Sequence, residues 1–325
     1  MPHNAAASMS ALQSIRITVP VSRQVESGLH PVLNRIFVDE SELHDFMPDQ
    51  QLLKRAMARS VVAESRTILD SIAERLFERL SLLKLSPSKI IDLGTGDGRH
   101  IKLLQQQFKG ASVVGADLSL SRLHHASGNR RFWQRNPFLV CLDASRPLPL
   151  ADDSIDLVVS NMMLPWLSDA KGLVAEINRV LVKDGAYFIS TAGPDTLVEL
   201  RQAWAEVDNS QHINLFLDMH DVGDHMVSSG LADPVMDTER ITVTYSSLDA
   251  LLDELIGLGF INVLFGRRKG LTAKSVRQRL AANYPLNKEG GIDATLELVV
   301  AHGWSGTPKA PLGEYRFNID QLRKR

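Results

Sequence analysis

The chain has little of what would commit it to an oxidising compartment, a membrane or a polyanion. Its one cysteine, Cys141, cannot close an internal disulfide, which fits a reducing compartment and predicts a cytoplasmic protein. Cys141 lies in the apolar run Phe138-Leu139-Val140-Cys141-Leu142, where a buried strand residue is expected rather than a nucleophile. No apolar stretch reaches the roughly 20 residues of a membrane span. A formal charge of −2 gives no long-range pull toward nucleic acid or an anionic bilayer, so neither partner is expected. There is no Ser/His/Asp or Cys/His constellation. His220, Asp221, Asp224 and His225 cluster, but the two histidines diverge on a helix and no third strong ligand follows. No metal is expected, and Asp221 is read as the cap of a helix running to Ser229.

What is present is an ordinary globular composition. With 325 residues, 44% hydrophobic and 23% charged, there is enough apolar material for one large α/β domain. Residues 1–50 differ from the rest: they are rich in Ser, Ala and Pro, with Arg16, Arg23 and Arg35 and few acids before Asp39. They predict a flexible extension, with a transit peptide as the alternative. Residues 51–325 read as one domain. It opens with a helical cap over 51–86, where Leu53, Met57, Val61, Ile68, Ile72, Leu76 and Leu80 recur at helical spacing between a Pro48-Asp49 start and a Ser86-Pro87 stop.

The most informative stretch follows. The apolar pair Ile90-Ile91 runs into Asp92-Leu93-Gly94-Thr95-Gly96-Asp97-Gly98, then an amphipathic segment from Arg99 to Phe108, then Val113-Val114-Gly115-Ala116 ending in Asp117. A buried strand, a glycine turn, a helix and a second strand tipped by a carboxylate make a βαβ unit. Gly94, Gly96 and Gly98 allow a tight turn and a close backbone approach to a ligand. Asp117, about 20 residues on, is placed to accept from a ribose diol, with Leu118 beside it. The spacing G-x-G-x-G differs from the dinucleotide G-x-G-x-x-G. Asp92 beside the turn would repel a pyrophosphate but suits the ammonium of an amino-acid moiety. An adenosyl group with a methionine tail, S-adenosyl-L-methionine, fits this pattern.

Strands are expected at about 89–93, 112–117, 138–142, 155–161 and 186–191, with a helix at about 170–181 before the fifth. This alternation predicts a doubly wound, mostly parallel seven-stranded sheet, Rossmann-like, with the ligand at the carboxyl ends of the first two strands. A lid-like insertion over 194–220 follows the fifth strand. Asp143 and Ala144 after the third strand are candidates for the adenine edge, and Asn161 after the fourth for the cleft floor. Trp166 is a candidate wall for the sulfonium.

With Asp92-x-Gly94-x-Gly96-x-Gly98, Asp117, Asp143 and the Asp156–Ser160 strand in order, the chain resembles class I S-adenosylmethionine-dependent methyltransferases. Beyond that half it is similar to the malonyl-acyl-carrier-protein O-methyltransferases of biotin synthesis. The similarity is carried by Gly193-Pro-Asp-Thr-Leu-Val-Glu-Leu-Arg201, Phe216–Asp224, Asp233–Asp237, Gly266-Arg267-Arg268, His302-Gly-Trp304 and the tail Gly313-Glu-Tyr-Arg-Phe317. Two features depart from that family: the stretch Arg59–Ser65 lacks a tyrosine usual there, and Asp97 replaces a small or uncharged residue. Left without a cation, Asp97 beside Asp92 costs electrostatic repulsion.

The resemblance implies methylation of a malonyl carboxylate carried on acyl-carrier protein; the sequence leaves the oligomeric state open, with a monomer favoured. A carboxylate ionises near pH 4, so it needs no general base; it needs a cation to orient it. Arg267 is the first candidate, with Arg268 and Arg201 behind it. Two other readings stay open on the sequence. One is a degenerate methyltransferase fold serving as a binding or assembly module. The other is an arginine hydroxylase like the complex I assembly-factor branch.

Overall fold

The computed structural model describes residues 47–59, 67–128, 138–260, 262–270 and 272–306. The extension before residue 47, most of the Arg59–Ser65 stretch and the Gly313–Phe317 tail lie outside the described residues. The elements run α1 (Gln50–Arg59), α2 (Thr67–Leu82), β1 (Lys89–Leu93), α3 (Arg99–Gln107), β2 (Ser112–Asp117), α4 (Leu120–Gly128), β3 (Phe138–Cys141) and β4 (Ile155–Asn161). After a 3₁₀ turn at Leu164–Trp166 come α5 (Ala170–Val180), β5 (Leu181–Ala192), α6 (Val198–Ala205), α7 (Met219–Ser228), β6 (Leu231–Tyr245), α8 (Leu248–Leu258), α9 (Lys274–Asn283) and β7 (Ile292–Ser305).

The seven strands form one sheet in the order β3-β2-β1-β4-β5-β7-β6. The first five are parallel, and β7 is antiparallel to both β5 and β6. Chain order reverses between β1 and β4, the position where an open α/β sheet leaves a crevice at its carboxyl edge. The strands are apolar on both faces because both faces are covered. Ile90, Leu157 and Val159 pack with α2 (Ile68, Ile72, Leu76), α3 (Ile101, Leu104) and α8. Their neighbours Ile91, Leu93 and Val158 point the other way, onto α5 (Leu173, Val174, Ile177) and α7 (Val222, Met226). That period-2 division of an unbroken apolar run separates the two layers.

Local chemistry sets several boundaries. Asp49 opens α1, its Oδ1 accepting from the amides of Gln51 and Leu52 at 3.1 and 3.0 Å. The cap of α7 is Asp218, which accepts from the His220 amide at 2.7 Å; Asp221, expected in that role, sits in the first turn instead. Cys141 is exposed, contrary to expectation, because β3 is an edge strand with one flank uncovered among the described residues.

The region expected as a lid-like insertion contains α6 and an extended return. The return is braced internally by Trp204 stacked on His212 at 3.6 Å and by Asp208 bonded to His212 at 2.7 Å. It docks on the 262–268 segment: Asn262 Nδ2 donates to the Gln211 carbonyl at 2.6 Å, and the Val263 amide donates to Asn214 Oδ1 at 3.0 Å.

Candidate active site

The glycine turn between β1 and α3 is held from both sides. The amides of Gly94 and Thr95 donate to the Ala116 carbonyl at 2.8 and 2.9 Å, folding the turn back over the end of β2. Gly94, Gly96 and Gly98 have φ of +78°, +58° and +76°, a region that side chains disfavour. A Cβ at Gly98 would stand 2.9 Å from Ala126 Cβ, so α3 and α4 approach only because it is absent. A Cβ at Gly96 would meet nothing within 4 Å, and Gly96 lines an open cavity.

Asp117 locks this turn to β2. Its Oδ2 accepts from the Gly96 amide at 2.9 Å and its Oδ1 from the Ser119 amide at 2.8 Å. Each carboxylate oxygen has two acceptor positions, so one on each remains for a ligand hydroxyl. Asp143 stands one strand further out. Burial alone would raise its carboxyl, but the Ser145 hydroxyl and amide and the Lys54 ammonium, 3.0 Å away, outweigh it and hold the group below the usual range.

Asp92 lies beneath the turn, fully buried. Its Oδ2 accepts from Thr95 Oγ1 at 2.6 Å, while Oδ1 has no partner among the described residues. Burial raises its pKa, with His100 and Thr95 opposing. A buried, unpaired carboxylate oxygen calls for a donor. Asp97 has its cation: Arg99 Nε is 2.9 Å from Asp97, and Arg99 Nη1 reaches Asp70 of α2 at 2.8 Å. The repulsion expected at this departure from the family pattern is thus screened by a residue two positions along.

On the cavity floor, Asn161 Oδ1 accepts from the Ser190 hydroxyl and its Nδ2 faces His100 Nε2 at 3.2 Å. With Nδ2 the donor, His100 accepts there through Nε2. At the end of β4 the chain turns through Met162, a non-glycine residue at φ +58°, and this local strain falls on the cavity wall.

The roof is a separate apolar cluster in which Leu53 and Met57 of α1 pack on Trp166 and Val263. Phe260 meets Trp166 edge-on at 5.3 Å. Gln50 Nε2 donates to the Trp166 carbonyl at 3.0 Å, and the Asp49 amide donates to the Val263 carbonyl at 2.7 Å. Floor and roof together enclose about 1240 Å³, the open mouth included.

Among the residues expected from sequence, Gly94, Gly96, Asp117, Leu118, Asp143, Ala144, Asn161 and Trp166 line this cavity. Asp92 and Gly98 support it from behind. Arg267 is not on its wall: Nη1 donates to the Leu264 carbonyl at 2.8 Å and pairs with Asp49 at 3.4 Å. Arg201 is not on the wall either. Burial lowers its pKa, Nη2 donates to the Thr196 carbonyl at 3.2 Å, and its buried Nε has no partner among the described residues. Sequence reasoning missed His100, Gln50, Met57 and Phe260. Met57 was legible as an apolar helix position, but only the fold brings α1 and the 257–264 segment over the turn.

The orphaned Asp92 oxygen, the open space at Gly96 and the paired carboxylates at the ends of β2 and β3 fit S-adenosylmethionine. The fold and this cavity define a class I, Rossmann-like S-adenosylmethionine-dependent methyltransferase, and a family model described as a methyltransferase domain matches residues 91–189. The likeness reaches further. A malonyl-[acyl-carrier protein] O-methyltransferase of Gallionella capsiferriformans is 36% identical over 82% of this chain and 94% of its own length. One from Laribacter hongkongensis is 37% identical over 85% of the chain and 96% of its length. Among solved structures, the YcgJ protein of Bacillus subtilis superposes with a TM-score of 0.52 at 18% identity, covering 72% of this chain and 99% of that one, a likeness of fold. The chain belongs to the malonyl-[acyl-carrier protein] O-methyltransferase family.

Proposed function

We propose that this protein methylates the free carboxylate of a malonyl group borne by acyl-carrier protein, an early step of biotin synthesis, in the cytoplasm and as a monomer. The observation that carries this reading is the extent of the likeness. Relatives named for that reaction are matched over nearly their whole length, whereas the general methyltransferase model stops at residue 189.

S-adenosylmethionine, when bound, supplies an electrophilic methyl group. Asp117 takes the ribose hydroxyls and Asp143 with Ala144 the adenine edge, with Leu118 packed between them. Gly94 and Gly96 admit the backbone close to the ligand, and Asp92, Asn161 and His100 serve its amino-acid end. Trp166 and Phe260 exclude water above it. The malonyl carboxylate is already ionised near neutral pH, so the chain's task is alignment, which can contribute several kcal/mol.

For the orienting cation we favour Arg201 over Arg267. Arg267 spends Nη1 on both Asp49 and the Leu264 carbonyl, whereas Arg201 keeps a buried Nε–H without an acceptor among the described residues. A buried unpaired donor is costly and gains most from an incoming carboxylate.

The test is rescue of a biotin auxotroph lacking the methyl-transfer step. Growth with this chain, and none with its Asp117→Ala variant, is expected. Failure of a stably expressed chain to rescue contradicts the reading.

A further inference from the structure

Between Arg267 and Arg279 the chain carries Arg267, Arg268, Lys269, Lys274, Arg277 and Arg279 and no acidic residue, although its overall formal charge is −2. Five of these six side chains are exposed. Val276 and Leu280 anchor α9 in the core, leaving Lys274, Arg277 and Arg279 exposed, and Arg268 and Lys269 are exposed on the preceding loop. Three of the cations have partners: Arg267 with Asp49, Arg268 with Asp208 and Arg277 with Asp249. Lys269, Lys274 and Arg279 have no ion-pair partner among the described residues. The surface adjoins the site through the chain itself, because the loop continues directly from the 257–264 segment. That segment contributes Gly257, Leu258 and Phe260 to the cavity and is clamped to the start of α1 by the Pro48–Leu264 bridge.

We propose that the surface formed by Arg268, Lys269 and the exposed face of α9 docks an acidic face of the carrier protein that delivers the malonyl group; this rests on the function proposed above. A net-acidic chain has no general attraction for an acidic partner, so recruitment requires a local patch of opposite sign near the site. Such a patch steers encounter and fixes orientation, and its effect is screened by salt. Anchoring on α9 holds its charges on a rigid element, and the loop that carries Arg268 and Lys269 follows the segment that roofs the cavity.

The experiment reverses the three unpaired charges together, K269E/K274E/R279E. Methylation of malonyl-acyl-carrier protein is compared with that of malonyl-pantetheine, which has the same reacting group and no protein. For the carrier substrate, KM should rise about tenfold or more at low salt, with the gap to the parent closing at about 0.5 M salt. Turnover of malonyl-pantetheine and affinity for S-adenosylmethionine should stay within about twofold of the parent. A carrier kcat/KM within about twofold of the parent overturns the proposal, as does an equal loss on both substrates. If the reversed variant does not fold, the neutral K269Q/K274Q/R279Q variant should still raise the carrier KM about threefold, and no rise overturns the proposal. If the parent methylates neither substrate, the proposed activity fails on its own account. Calorimetric binding of malonyl-acyl-carrier protein to parent and variant then decides the docking surface, and equal affinity refutes it.

Discussion

The carboxylate of Asp117 accepts a hydrogen bond from the backbone amide of Gly96 at 2.9 Å, so the residue read as a ribose acceptor also holds the glycine turn in shape. The two roles share one side chain, with Oδ1 on the Ser119 amide and Oδ2 on Gly96. Asp117→Ala therefore loses both the ligand contacts and the brace of the turn. Affinity for S-adenosylmethionine should fall about 30- to 1,000-fold, equivalent to ~2–4 kcal/mol. Asp117→Asn, which keeps one acceptor oxygen, should lose about tenfold. Calorimetry on folded variants checks both, and an Ala variant within about threefold of the parent removes Asp117 from the site.

Gly96 and Gly98 should separate binding from stability. Both have positive φ, but an added Cβ has open space at Gly96 and stands 2.9 Å from Ala126 Cβ at Gly98. Gly96→Ala should cost ~1–2 kcal/mol of backbone strain and weaken cofactor binding by intruding on the cavity. Gly98→Ala adds a clash between α3 and α4 and should cost ~2–4 kcal/mol in denaturant unfolding. Equal destabilisation by the two variants would contradict this division.

The glycine turn also shows what could be read in advance. The bounds of β1, β2 and β4 and the ligand edge of the sheet follow from short apolar runs ended by Asp, Gly or Asn, a local signal. Residues contributed by distant elements had no local signal. Gln50 and Met57 reach the cavity because α1 folds back beneath the 262–264 segment, and nothing in their own sequence marks that contact. Arg267 shows the opposite case. Its motif context pointed to substrate, but the fold sets its guanidinium against Asp49, over two hundred positions away in sequence. Asp97 looked like an unscreened charge because its pairing with Arg99, and the bridge on to Asp70, depend on how α2 packs beside α3.

Those positions give a direct contrast between the two arginines. Arg201→Lys should leave cofactor affinity unchanged and lower kcat/KM for the malonyl substrate about 10- to 100-fold, because a point charge does not replace a planar fork. Arg267→Ala should instead raise the dissociation constant for S-adenosylmethionine several-fold by releasing the start of α1 from the roof. Steady-state kinetics and calorimetry on both variants distinguish the roles, and the reverse pattern would return substrate orientation to Arg267.

Stability should decline on the acid side of neutrality for an identifiable reason. Burial holds His225 and His302 below the ordinary imidazole value of 6.5, so unfolding lets each bind a proton that the folded chain refuses. Their contribution is complete above that value and diminishes as the pH falls below it. His302, stacked on Phe188 at 5.4 Å, is the more accessible test. His302→Gln should reduce the loss of urea midpoint between about pH 7.5 and about pH 5.5, whatever it does to the midpoint itself. An unchanged pH dependence would show that His302 does not contribute to it.

The central claim is methyl transfer to a malonyl carboxylate, and the most direct measurement follows the label. The protein is incubated with methyl-labelled S-adenosylmethionine and malonyl-acyl-carrier protein, and the acyl group is analysed by mass spectrometry. A labelled methyl ester on the free carboxylate, absent with Asp117→Ala, is the predicted result. Cofactor binding with no ester on any malonyl thioester would contradict it and favour a binding or assembly role, and one added oxygen on a protein partner, without a methyl group, would identify a hydroxylase instead.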